Sequence, residues 1–145
     1  NPYATEFDSD DDTSTITTIY GNKDGRTFVY AQEKGVNAAG SAMTAYIESA
    51  DIDIADGDQF MSVSRFIPDF KNQTGTVDVT VKSRPYPTAS QATNGPYAIT
   101  TSTTKQDTRI RGRQLALRIE SDAVDEDWRY GTLRFDAKPD GLRGG

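Results

Sequence analysis

Residues 109–143 read RIRGRQLALRIESDAVDEDWRYGTLRFDAKPDGLR and hold seven of the ten arginines and the only tryptophan. Two runs in this stretch alternate with a period of two. In the first, Arg111, Arg113, Leu115, Leu117 and Ile119 oppose Gly112, Gln114, Ala116, Arg118 and Glu120. In the second, Arg129, Gly131, Leu133 and Phe135 oppose Tyr130, Thr132, Arg134 and Asp136. Such alternation predicts strands with one buried face. The intervening 121–127 is polar, acidic and turn-prone, so the stretch predicts a long antiparallel hairpin closed by an acidic loop. Trp128 opens the second strand and is expected to be mostly buried on that hairpin. A hairpin cannot stand alone in water, and the preceding chain must supply the covering layer.

Working outward from there, the valine run 76–82 is the cleanest strand: Val77, Val79 and Val81 oppose Thr76, Asp78, Thr80 and Lys82. Phe60–Ile67 also alternates and ends at Pro68. With a turn at Asn72–Gly75, residues 60–82 predict a second hairpin with Asp69 and Lys71 near its tip. Residues 84–96 hold three of the six prolines, which bars a central strand and predicts a crossover loop. Tyr97–Thr101 and Asp107–Ile110 are strand-like and lead into the arginine-rich stretch. Towards the N-terminus, Thr13–Tyr20 and Thr27–Tyr30 flank Asn22-Lys23-Asp24-Gly25 and predict a hairpin with Tyr20 and Tyr30 as cross-strand partners. Residues 33–41 predict a loop and 44–49 a strand. No segment shows a capped 3.6-residue period. The expected fold is all-β: an antiparallel β-sandwich or flattened barrel of about eight short strands, with little or no helix.

Composition narrows the chemistry. The 145 residues suit one domain with its own core. The expected organisation is an acidic arm or linker over residues 1–15 and a single β domain over 16–145. No secretory signal is visible; a start at Asn1-Pro2 fits either a processed chain or a segment of a longer protein, and the linker-like residues 1–15 favour the segment. Without cysteine or histidine the chain lacks thiolate chemistry, the commonest general base and the commonest transition-metal ligand. A net charge of −6 argues against nonspecific nucleic-acid binding, and no apolar run reaches the ~20 residues of a membrane helix.

Asp51, Asp53, Asp56 and Asp58 invite a calcium loop. An EF-hand counted from Asp51 needs Gly sixth and Glu twelfth, however, and those places hold Asp56 and Ser62. An Asp-Gly turn is expected instead, and Glu6, Asp8 and Asp10–Asp12 are expected on a solvated arm. An enzyme would have to work with carboxylates alone, drawn from Asp51, Asp53, Asp56, Asp125, Glu126 and Asp127. No pair is placed at a catalytic separation, so no catalytic residue, cofactor or metal is expected.

The arginines carry more information. Arg109, Arg111 and Arg113 recur every second residue on the side that also holds Leu115, Leu117 and Ile119. Unpaired guanidinium groups are too costly to bury. Either the strand runs out of the core there, or the arginines meet carboxylates, for which their planar fork is well suited. An intradomain pair such as Arg134 with Glu120 is one option. Carboxylates of a neighbouring subunit are the other, since residues 1–58 carry twelve acidic and three basic residues against seven and eight from 109 onward.

Several motifs resemble those of a known group. Arg111-Gly112-Arg113-Gln114, Ala116-Leu117-Arg118-Ile119-Glu120-Ser121, Trp128-Arg129 with Gly131, Arg134 and Asp136, and Asp140-Gly141 with Arg143 look like the C-terminal end of β-rich virion proteins of tailed bacteriophages. The nearest group is the tail proteins of short-tailed phages, of nozzle or tail-tube type. Arg65-Phe66-Ile67-Pro68-Asp69 before a valine-alternating strand is similar to the segment upstream in that group. The resemblance spans roughly 44–143 and departs at Leu142, where a second arginine is expected. It implies a non-enzymatic structural component of a virion tail, in a ring around the DNA exit channel. The implied partners are further copies in a homo-oligomeric ring, for instance a hexamer, and other virion tail proteins, with no membrane and no specific nucleic acid. The expected interface residues are Arg109, Arg111, Arg113, Arg118, Arg134 and Arg143. A receptor- or glycan-binding β module is the rival, with Tyr86, Tyr97 and Trp128 as its aromatic candidates.

Overall fold

A computed structural model describes residues 19–23, 26–30, 35–38, 40–54 and 59–142. The acidic arm over 1–15, Asp56, Asp58 and Arg143 lie outside these residues. The described residues form twelve strands and no helix, so the chain is all-β with antiparallel pairing throughout. The strands are β1 (Ile19–Lys23), β2 (Arg26–Tyr30), β3 (Ala45–Glu48), β4 (Ile52–Asp53), β5 (Gln59–Ile67) and β6 (Phe70–Thr74), followed by β7 (Val77–Arg84), β8 (Ala92–Ile99), β9 (Gln106–Gly112), β10 (Gln114–Ser121), β11 (Asp127–Tyr130) and β12 (Arg134–Leu142).

Two sheets enclose the core. Sheet I runs β3-β10-β7-β8, with β4 also paired to β10, and sheet II runs β12-β5-β9. β11 pairs β6 in a small separate ladder, and β1 pairs β2. In β7 the residues alternate between buried and half-buried along the whole strand, as the valine spacing predicts. Val77, Val79, Val81, Ile99, Leu115 and Ile119 of sheet I meet Val63, Phe66 and Ile110 of sheet II. Phe66 is fully buried, with Tyr97 and Phe135 edge-on at 5.7 and 6.3 Å. Truncating a ring in such a place typically costs ~3–5 kcal/mol.

Both long hairpins expected from the sequence are overturned, for one reason. β10 does not pair with the strands after it: β11 goes to β6 and β12 to β5. β5 and β7 likewise lie in different sheets, with β6 between them. Each pair shares apolar residues because the strands face each other across the core, not because they are neighbours in a ladder.

The run 109–120 is itself two strands. In β9 the odd residues Arg109 and Arg111 are exposed while Thr108 and Ile110 are buried; in β10 the odd residues Leu115 and Ile119 are buried. The chain changes sheet between them at Gly112-Arg113. There the Arg113 N–H donates to the Arg84 carbonyl and the Ile54 N–H to the Arg113 carbonyl, both at 2.8 Å. Gly112 is buried, and a Cβ there would lie 3.1 Å from the Arg84 carbonyl oxygen and from the Ser83 Cβ. A side chain would be tighter than ordinary contact, and its neighbours would have to give by a few tenths of an ångström. Switching sheets lets one parity carry arginines outward and then leucines inward, which a single strand could not do.

Smaller expectations also shift. Part of the 84–96 loop is strand β8, which accommodates Pro96 because it lies at the edge of sheet I, where a missing donor costs no ladder bond. The β1–β2 hairpin forms, but Tyr20 pairs Val29 and Tyr30 pairs Ile19, so the two tyrosines are not cross-strand partners.

Candidate interaction surface

The outer face of sheet II gathers four of the ten arginines, Arg65, Arg109, Arg111 and Arg134. Alternation along β9 turns Asp107, Arg109 and Arg111 outward, and alternation along β12 turns out Arg134, Asp136, Lys138 and Asp140. Arg111 and Lys138 both pair with Ser62 of β5, so they lie in one row across the sheet, about 10 Å apart at ordinary strand spacing. Arg111 Nε donates to Asp140 Oδ2 at 2.5 Å, a terminal nitrogen donates to the Asp140 carbonyl at 3.0 Å, and the guanidinium lies 4.1 Å over the Phe60 ring. Arg65 Nε lies 2.9 Å from Asp136 Oδ2. These pairs are about half exposed, so each is worth only ~0–1 kcal/mol. Arg109, Arg134 and Lys138 are exposed, with no hydrogen-bond or ion-pair partner among the described residues.

The outer face of sheet I differs. Lys82 and Arg118 both bind Glu48, Arg118 also reaches Glu120 at 2.5 Å, and the Arg118 guanidinium lies 4.1 Å over the Tyr46 ring. Hydrogen bonds from Lys82 and then Arg118 hold the Glu48 carboxyl below its ordinary range. Arg84 Nε lies 3.1 Å from Asp51 Oδ2. Asp78 has no such partner among the described residues. It stands directly across from Glu120, and burial, followed by the charges of Asp122, Glu126 and Glu120, pushes its carboxyl up. The expected Arg134–Glu120 pair does not form; Glu120 belongs to Arg118 because β10 and β12 are in different sheets.

The remaining expected interface residue, Arg113, sits half-buried at the sheet switch and is engaged within the chain. Thus the arginine row divides. Arg109 and Arg134 point outward uncommitted, Arg111 and Arg118 are paired within the chain, and Arg113 is structural. The sequence alternation over 129–136 stops short of Lys138, although the same period runs on to Asp140. Nothing in the sequence marks Asp78 beyond its place opposite the valines.

Four of the six carboxylates considered for catalysis have partners within the chain; Asp127 has no side-chain partner among the described residues, and Asp56 lies outside them. Asp51 accepts a hydrogen bond from Gln91 at 2.9 Å and Asp53 one from Gln114 at 2.8 Å. Asp125 accepts from Asn37. Glu126 accepts from three backbone N–H groups: Thr76 at 3.0 Å, Ala123 at 2.9 Å and Asp122 at 3.2 Å. The acidic loop is therefore folded around one of its own side chains. The three aromatic candidates do not form a platform. Tyr97 packs against Phe66 in the core, only Tyr86 is exposed, and Trp128 is half-buried, edge-on to Phe70 at 5.9 Å, with its indole N–H donating to Ser121 at 2.9 Å. Trp128 thus seals the end of β10 rather than lying along an arginine-rich hairpin. A separate apolar groove of about 210 Å³ lies where the inner face of sheet I outruns sheet II, lined by Ile47, Ile52, Leu117, Tyr130 and Phe135. Ile47 and Ile52 are 50% and 60% exposed there.

No protein-family model matches the chain, and no curated protein does.

Proposed function

We propose that this chain is a structural component of a bacteriophage tail, of nozzle or tail-tube type, which acts through subunit–subunit contacts in the virion. A β-sandwich serves many functions, so the fold alone decides nothing. The observation that carries the proposal is the outer face of sheet II. It is a ladder surface on which Arg109, Arg134 and Lys138 project without partners among the described residues. Arginine is the residue suited to carboxylates across an interface, and part of the motifs that resemble tail proteins, Arg111-Gly112 of β9 and Arg134, Asp136 and Asp140-Gly141 of β12, lies on this sheet. The rival reading, a receptor-binding module, draws on the apolar groove beside Tyr130, which would take an apolar segment of a receptor.

Imaging of the purified chain at high concentration and low salt tests the proposal. Closed rings of one copy number are the expected result. Single particles throughout, with capture of a host-surface component that is lost on Ile52→Asp substitution, would instead support the receptor module.

A further inference from the structure

Pairing within the chain leaves opposite charge on the two outer faces of the sandwich. On sheet II, Asp140 takes Arg111 and Asp136 takes Arg65. Arg109, Arg134 and Lys138 remain, with Asp107 the one carboxylate of that face left beside them among the described residues. On sheet I the cations are used up: Lys82 and Arg118 by Glu48 and Glu120, Arg84 by Asp51. What remains there is acidic: Asp78, whose ladder neighbour Glu120 already holds Arg118, and Asp122 just past the end of β10. Like charges opposed across a ladder repel, and the cation at this end, Arg118, is already shared by Glu48 and Glu120, so Asp78 has no cation among the described residues.

We propose that the outer face of sheet II in one copy docks on the outer face of sheet I in the next, setting Arg109, Arg134 and Lys138 against Asp78 and Asp122. This rests on the assembly reading above and names its partner, a second copy in head-to-tail contact. A two-fold contact of either face with itself would oppose like charges, and only the unlike faces are complementary. A contact between two different faces propagates, and it closes into a ring when the rotation allows. Its size sets its strength. Three strands spaced ~4.8 Å apart and about seven residues long at ~3.3 Å each present a face of roughly 14 by 23 Å. That is well below the ~800 Å² per partner of a standard stable interface. A single contact is therefore weak and salt-sensitive, and it becomes populated at high concentration or when a ring closes.

Charge reversal with complementation tests this on the full chain. One variant carries Arg109→Glu, Arg134→Glu and Lys138→Glu; the other carries Asp78→Lys and Asp122→Lys. Each alone should raise the midpoint concentration of self-association at least ~tenfold, and an equimolar mixture should restore association, because each contact then joins unlike faces. Circular dichroism checks that both are folded. If a reversal variant does not fold, the neutral set Arg109→Gln, Arg134→Gln and Lys138→Gln takes its place and must still weaken association; an unchanged midpoint overturns the proposal. If the wild-type chain stays monomeric in all conditions, the assembly reading itself fails. If it associates and the arginine variant does not, while the aspartate variant associates normally, assembly stands and the partner face named here is wrong. Retention of duplex DNA by the wild-type chain and not by the arginine variant, without self-association, would assign the face to a phosphate backbone and overturn the proposal.

Discussion

Replacing Glu126 with alanine removes the carboxylate that ties loop 122–126 to the turn between β6 and β7. Its three N–H donors, from Thr76, Ala123 and Asp122, are then left to water. A net hydrogen bond is worth about 1 kcal/mol. The Thr76 bond is half-buried while the other two lie at the surface, so the expected loss is about 2 kcal/mol rather than three full bonds. For a chain of this size that corresponds to a fall in Tm of roughly 6 °C. Gly75 makes the prediction sharper. It sits at a φ of +79°, and a Cβ there would come within 2.6 Å of the Glu126 Cγ. Gly75→Ala should therefore cost ~1–2 kcal/mol for the left-handed backbone, plus a steric cost set by the Glu126 stem. In the Glu126→Ala background the stem is gone and only the backbone cost remains. Thermal melts of the two single variants and the double variant form a cycle, and its coupling should be about 1 kcal/mol or more. The loop assignment is wrong if Glu126→Ala melts within about 1 °C of the parent, or if Gly75→Ala costs the same in both backgrounds.

Three further outcomes are expected. Asp78 has a raised folded pKa, so its ionised form is disfavoured by folding, and the penalty sets in as pH rises through that value. Asp78→Asn should thus melt higher than the parent at pH 7 in dilute solution, with the advantage fading as the medium is acidified; equal melting at pH 7 would contradict the placement. Trp128→Phe loses the bond to Ser121 but keeps a ring against Phe70 and should cost ~1 kcal/mol, whereas Trp128→Ala should cost ~3 kcal/mol, and equal effects in denaturant titration would place the indole outside this contact. Melting with and without a strong chelator should coincide, because Asp51 and Asp53 already have Arg84, Gln91 and Gln114 as partners; a fall of several degrees in chelator would reveal a bound cation.

The strands were legible in the sequence because period two reports a buried face, and β7 follows its valines residue by residue. The partners were not legible, because a buried face does not say which strand lies beside it and which lies across the core. The arginines held the clue. Arg109 and Arg111 share their parity with Leu115 and Ile119, and both sets cannot be buried together; the chain resolves this by changing sheet at Gly112. At the surface, sequence marked the right arginines but not their partners. Arg111 meets Asp140 at a separation of 29 residues and Arg118 meets Glu48 at 70, distances that only the sheet order brings together. The role of Glu126 was hidden because a carboxylate accepting backbone N–H groups looks, in sequence, like any other acidic turn residue.

Sedimentation equilibrium of the full chain, over a concentration series at low salt and again near 1 M salt, tests most directly whether this is an assembly protein built on opposed charged faces. The expected result is reversible association to a species of fixed copy number at low salt, which dissociates to monomer as the ionic strength rises and the Debye length shrinks to ~3 Å. A single monomeric species at every concentration and both salt levels would contradict it.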